Sequence, residues 1–310
     1  MSFQLYCGTV LIQTHMNLWT RYYSPTSIDE ALKILHEPDR QACLIAGGTD
    51  LLLDLRQGRH TPVDCLVDVN QIHELQIIEQ RGHFLFIGAA VPLQKILDSE
   101  LIRTHAEVLY DSICTMGSPQ VRNMATLGGN IAHALPAADG AISLTVLESQ
   151  VEIASVEGPR RIPLSMAFEG PGRSAINSKE EIIVGFYIPS HITGCASAFS
   201  RIMRPQGVAL PILNMAIWLN RKEDTIYDIR IAVGPSAPIP QRCELVEDAI
   251  RGRLKTQELT SQVQDLFLSQ VLFRSSRHRA SAEYRKQIAC RLFNDVLDIA
   301  WDRAGRSLIN

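Results

Sequence analysis

TMGSPQVRNMATLGGNIAHALPAAD, Thr115 to Asp139, is the stretch on which the reading of this chain turns. It holds adjacent glycines (Gly128, Gly129), an amide (Asn130), a threonine before them (Thr126) and a proline exit (Pro136) leading to a carboxylate (Asp139). Such a composition makes a poor strand or helix and predicts a binding loop. Paired glycines let the backbone turn through positive φ and let a ligand reach main-chain N–H groups that side chains would shield. Anions are the natural guests.

A second segment of the same character lies nearer the N-terminus: CLIAGGTDLLLDLR, Cys43 to Arg56. Leu44, Ile45 and Ala46 read as the end of a buried strand and Gly47-Gly48 as a tight turn. Thr49-Asp50 reads as an N-cap before the apolar helical run Leu51, Leu52, Leu53 and Leu55. Strand, glycine turn and helix N-terminus together suit a pyrophosphate, because free N–H groups and the helix dipole converge there. Either turn alone is explained by a turn that needs glycine. Two in one chain, each with hydroxyl and carboxylate companions, point to a bound nucleotide. Neither reads GxGxxG or GxxxxGKS/T, so an ordinary Rossmann or P-loop site is not indicated.

Working outward, the N-terminal half alternates strand and helix. TRYYSP reads as a short strand, and Ser27 with Glu30 is a capping-box signature opening a helix through Leu35. Cys65 to Val69 and Phe84 to Ile87 read as strands, and Pro92 opens a helix to Leu97. One helix is expected over Leu101 to Cys114, another after Asp139 through Leu147, then strands at Val151 to Ala154 and Ile182 to Ile188. Gly170-Pro171-Gly172 marks a loop, and Ser190 to Cys195 is read as the domain boundary. Beyond it three consecutive strands, Ala196–Met203, Ile212–Leu219 and Ile226–Val233, predict an antiparallel sheet. Helical segments at 243–252, 257–272 and 281–301 close the chain.

Composition excludes several classes. At 310 residues and 46% hydrophobic content the chain can bury a large core, and its length suggests two domains. Net charge is −3 with no basic stripe, which argues against a nucleic-acid role. Seven scattered cysteines without CxxC predict reduced thiols in the cytoplasm, with neither a disulfide framework nor an iron–sulfur cluster in this chain. The nine histidines form no metal-ligand spacing. The first residues lack the basic start and apolar run of a signal peptide or membrane span. Residues 1–15 are expected to be an N-terminal extension arising from an upstream start codon, with Met16 as the true beginning.

The motifs carry a family resemblance. AGGTDLL (Ala46 to Leu52), QVRNMATLGGNIAHALPAAD (Gln120 to Asp139), EEIIVGFYIP (Glu180 to Pro189), RIAVGPSAPIPQR (Arg230 to Arg242) and SAEYRK (Ser281 to Lys286) occur in one order. In that order and spacing the chain resembles the FAD-binding subunit, or medium chain, of the molybdenum hydroxylases, of xanthine dehydrogenase and carbon monoxide dehydrogenase type. The resemblance implies an α+β fold: an FAD-binding domain over 16–193 and, over 194–310, an antiparallel sheet with a helical bundle. It implies noncovalent FAD, its pyrophosphate held between the glycine loops by Leu44, Ile45, Ala46, Gly47, Gly48, Thr49, Asp50 and Leu51 and by Thr126, Gly128, Gly129 and Asn130. Asp139 matches the carboxylate that closes the motif, although a helix cap explains it as well. Ile182, Ile183 and Met116 match apolar positions near the flavin, where ordinary core residues would look the same.

The resemblance also implies partners. They are a molybdenum-cofactor large subunit and a small subunit with 2Fe–2S clusters, from which electrons reach this flavin and then NAD or another acceptor. The sequence itself shows no Ser-His-Asp set and no paired carboxylates, as expected where a cofactor does the chemistry. An alternative is a stand-alone flavoprotein oxidoreductase, for which His133 is the nearby candidate base or flavin-linking residue. A third reading is a flavin-free scaffold. Two departures from the family stand out: Leu135 replaces a serine, and Ser200-Arg201 stands where relatives often carry lysine.

Overall fold

A computed structural model describes residues 17–204, 210–276 and 279–307; the expected extension over 1–15 lies outside them. The chain begins as β1 (Arg21–Tyr23), α1 (Ile28–Leu35), β2 (Ala42–Ile45), α2 (Leu51–Arg56) and β3 (Cys65–Asp68). Both crossovers are helical, and the three strands are parallel in the order β1-β3-β2. The α1 cap forms as its sequence predicts. Ser27 Oγ accepts from the Glu30 amide at 3.2 Å, and the Glu30 carboxylate accepts from the Thr26 amide at 2.8 Å.

The middle of the chain surrounds a second sheet. In order it contains β4 (Ile78–Arg81), β5 (Phe84–Gly88), α3 (Leu93–Leu97), α4 (Glu100–His105) and α5 (Glu107–Thr115). Next come α6 (Pro119–Arg122), α7 (Leu127–Ala132) and α8 (Asp139–Val146). Then follow β6 (Gln150–Ser155), β7 (Gly158–Pro163), the small pair β8 (Phe168–Gly170) and β9 (Arg173–Ser174), and β10 (Ile182–Pro189). The sheet is antiparallel in the order β4-β5-β10-β6-β7.

Two expectations are corrected here. The single helix predicted over Leu101 to Cys114 is broken at Ala106, where φ −146° interrupts α-helical geometry between α4 and α5. The break buries Ile102 from one piece and Val108, Leu109 and Ile113 from the other, while His105 stays half-exposed. The expected loop from Thr115 to Asp139 contains two short helices, α6 and α7. Their caps explain why: Ser118 Oγ accepts from Val121 N–H and Thr126 Oγ1 from Gly129 N–H.

The C-terminal region is a meander of β11 (Cys195–Ile202), β12 (Leu213–Lys222) and β13 (Thr225–Gly234), as predicted. A two-residue β14 (Arg253–Leu254) lies at its edge. One face of the meander packs on α9 (Glu244–Ile250), α10 (Gln257–Gln270) and α11 (Ala282–Ser307). Met215, Ile217, Ile231, Phe267 and Phe293 share that core. The other face meets the middle region, since Phe199, Ala216 and Ala232 belong to the core built around α5 and α8. A half-buried ion pair fastens the junction. Arg303 on α11 forks onto Asp111 of α5 at 2.6 and 3.1 Å and also donates to the Ser197 carbonyl at 2.7 Å. The result is an α+β chain of two packed parts. No helix among the described residues is long and apolar enough to cross a membrane.

Candidate functional site

The two glycine segments meet. Gly48 sits at φ +66°, the left-handed region that favours glycine. A Cβ on its neighbour Gly47 would lie 2.1 Å from the Met124 carbonyl oxygen, so the turn after β2 presses directly on the backbone leading into α7. Asn70, just after β3, ties down that turn by donating to the Ala46 carbonyl at 2.9 Å. Gly128 makes a similar approach on the far side. Its Cβ would fall 2.5 Å from the Ala89 carbonyl, to which its own N–H donates at 3.0 Å.

The space between the segments is a cavity of about 800 Å³, within the range of roughly 300–1,000 Å³ typical of small-molecule sites. Every residue singled out from the sequence lines it: Leu44 through Leu51, Met116, Thr126, Gly128, Gly129, Asn130, Asp139, Ile182 and Ile183. They arrive from β2, α2, the α5–α6 turn, α7, α8 and β10, so only the tertiary fold assembles them. Arg122 fixes the Met116 turn by donating to the carbonyls of Met116 and Gly117 at 3.2 and 3.0 Å.

The two segments contribute differently, which corrects the picture of bare amides on both. The N–H groups of Gly47, Gly48, Thr49 and Asp50 have no acceptor among the described residues. Those of Gly128 and Gly129 are spent on Ala89 O and Thr126 Oγ1. Neither Gly128 nor Gly129 has positive φ; they are glycines because α7 lies so close to Ala89 and to the cavity. Nor does Asp50 cap α2. Its backbone is already helical, at φ −96° and ψ −49°, and its carboxylate makes no cap bond. It faces His133 instead: the imidazole lies 3.6 Å from Asp50 through Nδ1 and 3.6 Å from Asp54 through Nε2.

Asp139 is not a cap either, since Ala138 occupies the cap position of α8. The Asp139 carboxylate is buried and bound by Arg201 of β11 at 2.6 Å and by Asn214 Nδ2 of β12 at 2.5 Å. Burial pushes this carboxyl above its ordinary value, and Arg201 and Asn214 pull it back. Arg201 also donates to the Thr115 carbonyl. Sequence reasoning noticed Arg201 only as a substitute for lysine and missed Asn214. Both lie in a region whose apolar strand pattern gives no sign of a site.

FAD fits this cavity on three structural observations. Four unpaired amides converge at the first turn, where anionic oxygens would replace water. Gly47 and Gly128 admit no Cβ, which would press on backbone carbonyls. Two buried polar atoms of cavity-lining residues, Asn130 Oδ1 and Arg201 Nε, have no hydrogen-bond partner among the described residues. The first turn with Thr49 would hold the diphosphate, and Ile182, Ile183 and Met116 would pack the apolar ring system.

Comparison with known proteins agrees. Residues 15–191 match the FAD binding domain in molybdopterin dehydrogenase, and residues 197–300 match the CO dehydrogenase flavoprotein C-terminal domain. The chain is 29% identical over 286 residues to the nicotinate dehydrogenase FAD-subunit of Eubacterium barkeri, covering 89% of this chain and 96% of that one. It is 27% identical to the xanthine dehydrogenase FAD-binding subunit of Escherichia coli O157:H7, covering 93% and 98%. A solved carbon monoxide dehydrogenase from Hydrogenophaga pseudoflava superposes with TM-score 0.85 at 26% identity, over 91% of this chain and 97% of that one. With its cavity and more than half its length accounted for, the chain belongs to the FAD-binding family of the molybdopterin dehydrogenases, an FAD-dependent oxidoreductase subunit of molybdenum hydroxylase type.

Proposed function

We propose that this protein is the electron-relay subunit of a heteromeric, cytoplasmic molybdenum hydroxylase, xanthine dehydrogenase-like in organisation. Its partners would be a molybdenum-cofactor large subunit, which selects the substrate, and a small subunit with 2Fe–2S clusters. FAD held in the cavity would supply the redox chemistry between those clusters and NAD or another acceptor. The protein's own residues supply the seat. The amides of Gly47 to Asp50 and the Thr49 hydroxyl would hold the diphosphate. Gly128, Gly129 and Asn130 form the opposing wall, with Thr126 fixing the helix that carries them. Leu44, Ile45, Ala46, Leu51, Ile182, Ile183 and Met116 exclude water from the ring system. Asp139 borders the seat through its pair with Arg201. In this reading 16–193 is the FAD-binding domain and 194–310 the C-terminal domain.

The observation that carries the proposal is the convergence of unpartnered amides and closed-in glycines on one cavity. His133, one of two histidines lining the cavity with His60, is the candidate a self-sufficient oxidoreductase would need. It sits against the carboxylates of Asp50, just before α2, and Asp54, within it. Affinity purification of the chain from its native host tests the reading. Two further polypeptides, with molybdenum and iron in the eluate, are expected. A yellow protein that purifies alone and turns over a small substrate with full activity would overturn it.

A further inference from the structure

Helix α5 ends against the cavity, where Met116, Gly117 and Val121 form part of the wall. Carbonyls at a helix C-terminus carry the negative end of the helix dipole and lack intrahelical partners, so other donors must meet them. Two guanidiniums do. Arg201, arriving from β11, donates to the Thr115 carbonyl. Arg122, the last residue of α6, donates from Nη1 to the carbonyls of Met116 at 3.2 Å and Gly117 at 3.0 Å.

The α5–α6 turn has little else to fix it. No backbone N–H among the described residues reaches the carbonyl of Met116 or of Gly117, which leaves Arg122 as their donor. Gly117 sits at φ +56°, and a Cβ there would lie 2.8 Å from Val121 Cγ1, so the turn is packed onto α6 as well as tied to it. Arg122 is itself anchored, its Nε donating to Gln94 Oε1 of α3 at 3.3 Å. Among the described residues its side chain bonds only to uncharged oxygens, and it forms no ion pair. A half-buried cation directed at two carbonyls of one turn acts on the place of that turn.

We propose that Arg122 is a positioning residue for the flavin: through the carbonyls of Met116 and Gly117 it holds the Met116 side chain on the cavity wall, against the cofactor's ring system. A methionine sulfur there makes a favourable contact with an aromatic ring only at the right place along it. The inference rests on the FAD reading of the cavity and deepens it, since Arg122 is not among the residues that line that cavity.

The test is reconstitution of the full-length apoprotein with FAD. Affinity and the visible circular dichroism of the bound flavin are read for each variant beside a thermal melt. Arg122→Ala should weaken FAD about tenfold, the scale of one charge-assisted hydrogen bond, and should alter the dichroic bands because the sulfur beside the ring moves. Arg122→Lys, a point donor in place of a fork, should fall between Arg122→Ala and wild type. A double-mutant cycle then decides the route. On a Met116→Ala background, Arg122→Ala should cost far less FAD affinity than it does in wild type, because the group it acts through is gone. If Arg122→Ala does not fold, Arg122→Lys takes its place in the cycle. Additive losses in the cycle would overturn the proposal, and so would a lower melting temperature with unchanged affinity and bands, the mark of a purely structural tie. Wild-type protein that takes up no FAD overturns the parent reading and this with it, whereas either of the other two results, in protein that holds FAD, overturns the role of Arg122 alone.

Discussion

The carboxylate of Asp139 lies 2.6 Å from the guanidinium of Arg201, both side chains at most 5% exposed, across the junction between α8 and β11. A residue that closes the glycine motif thereby fastens the flavin-binding half to the C-terminal sheet. Breaking a buried pair strands the surviving charge, typically a loss of about 3–5 kcal/mol. Asp139→Asn should therefore lower the urea midpoint sharply and reduce flavin content together with it. Arg201→Lys should be milder, because the charge remains while the fork onto Thr115 O is lost. Equal midpoints for Asp139→Asn and wild type would show that the pair does not hold the halves together.

The glycines separate into two kinds. Gly47→Ala and Gly128→Ala each place a methyl group against a carbonyl oxygen, at 2.1 and 2.5 Å, so both should lower the melting temperature even without cofactor. A Cβ on Gly129 meets only Thr126 Oγ1 at 3.2 Å, so Gly129→Ala should fold normally. The larger Gly129→Val is expected to block flavin uptake, as is Gly48→Val, which also strains a left-handed backbone by about 1–2 kcal/mol. The ratio of flavin to protein absorbance, read beside a thermal melt, distinguishes the two kinds.

Leu135 lines the cavity where the family commonly has serine. Leu135→Ser would return a hydroxyl to the wall. One added hydrogen bond, about 1 kcal/mol, corresponds to roughly fivefold tighter FAD. Titration of apoprotein with FAD measures it, and an unchanged or weaker affinity would show that the hydroxyl finds no partner here.

How much of this was legible in the chain depends on where each residue's information lay. Local signals served well: the Ser27 cap, the β2 turn and the three-strand meander all follow from patterns within a few residues. Strands β4 and β7 were not seen because they are the sheet's edges. IEQR and GPRRIP carry little of the apolar alternation that marks a half-buried strand. For the site, residue identities were readable but their uses were not. That Gly128 gives its amide to Ala89, and that Asp139 serves Arg201, depends on contacts between segments far apart in sequence. No periodicity encodes such contacts.

His105 and His191 offer a pH test at the linker. The His191 amide donates to His105 Nδ1 at 3.1 Å, which requires that nitrogen to be unprotonated. Burial pushes His105 below its ordinary value of 6.5; burial, and then His105, does the same to His191. A histidine depressed in the folded state binds its proton more readily when unfolded, so its contribution rises with pH. Stability should thus be fully present above 6.5 and fall as the pH drops through that value toward the folded-state one. Carboxylates add their own acid loss, so the informative quantity is a difference. His105→Gln can still accept from the His191 amide through its side-chain carbonyl and has no proton to gain. The decline in melting temperature from neutral pH to about pH 5 should be shallower in His105→Gln than in wild type. Parallel curves would show that the accepting imidazole does not set the acid sensitivity of the linker.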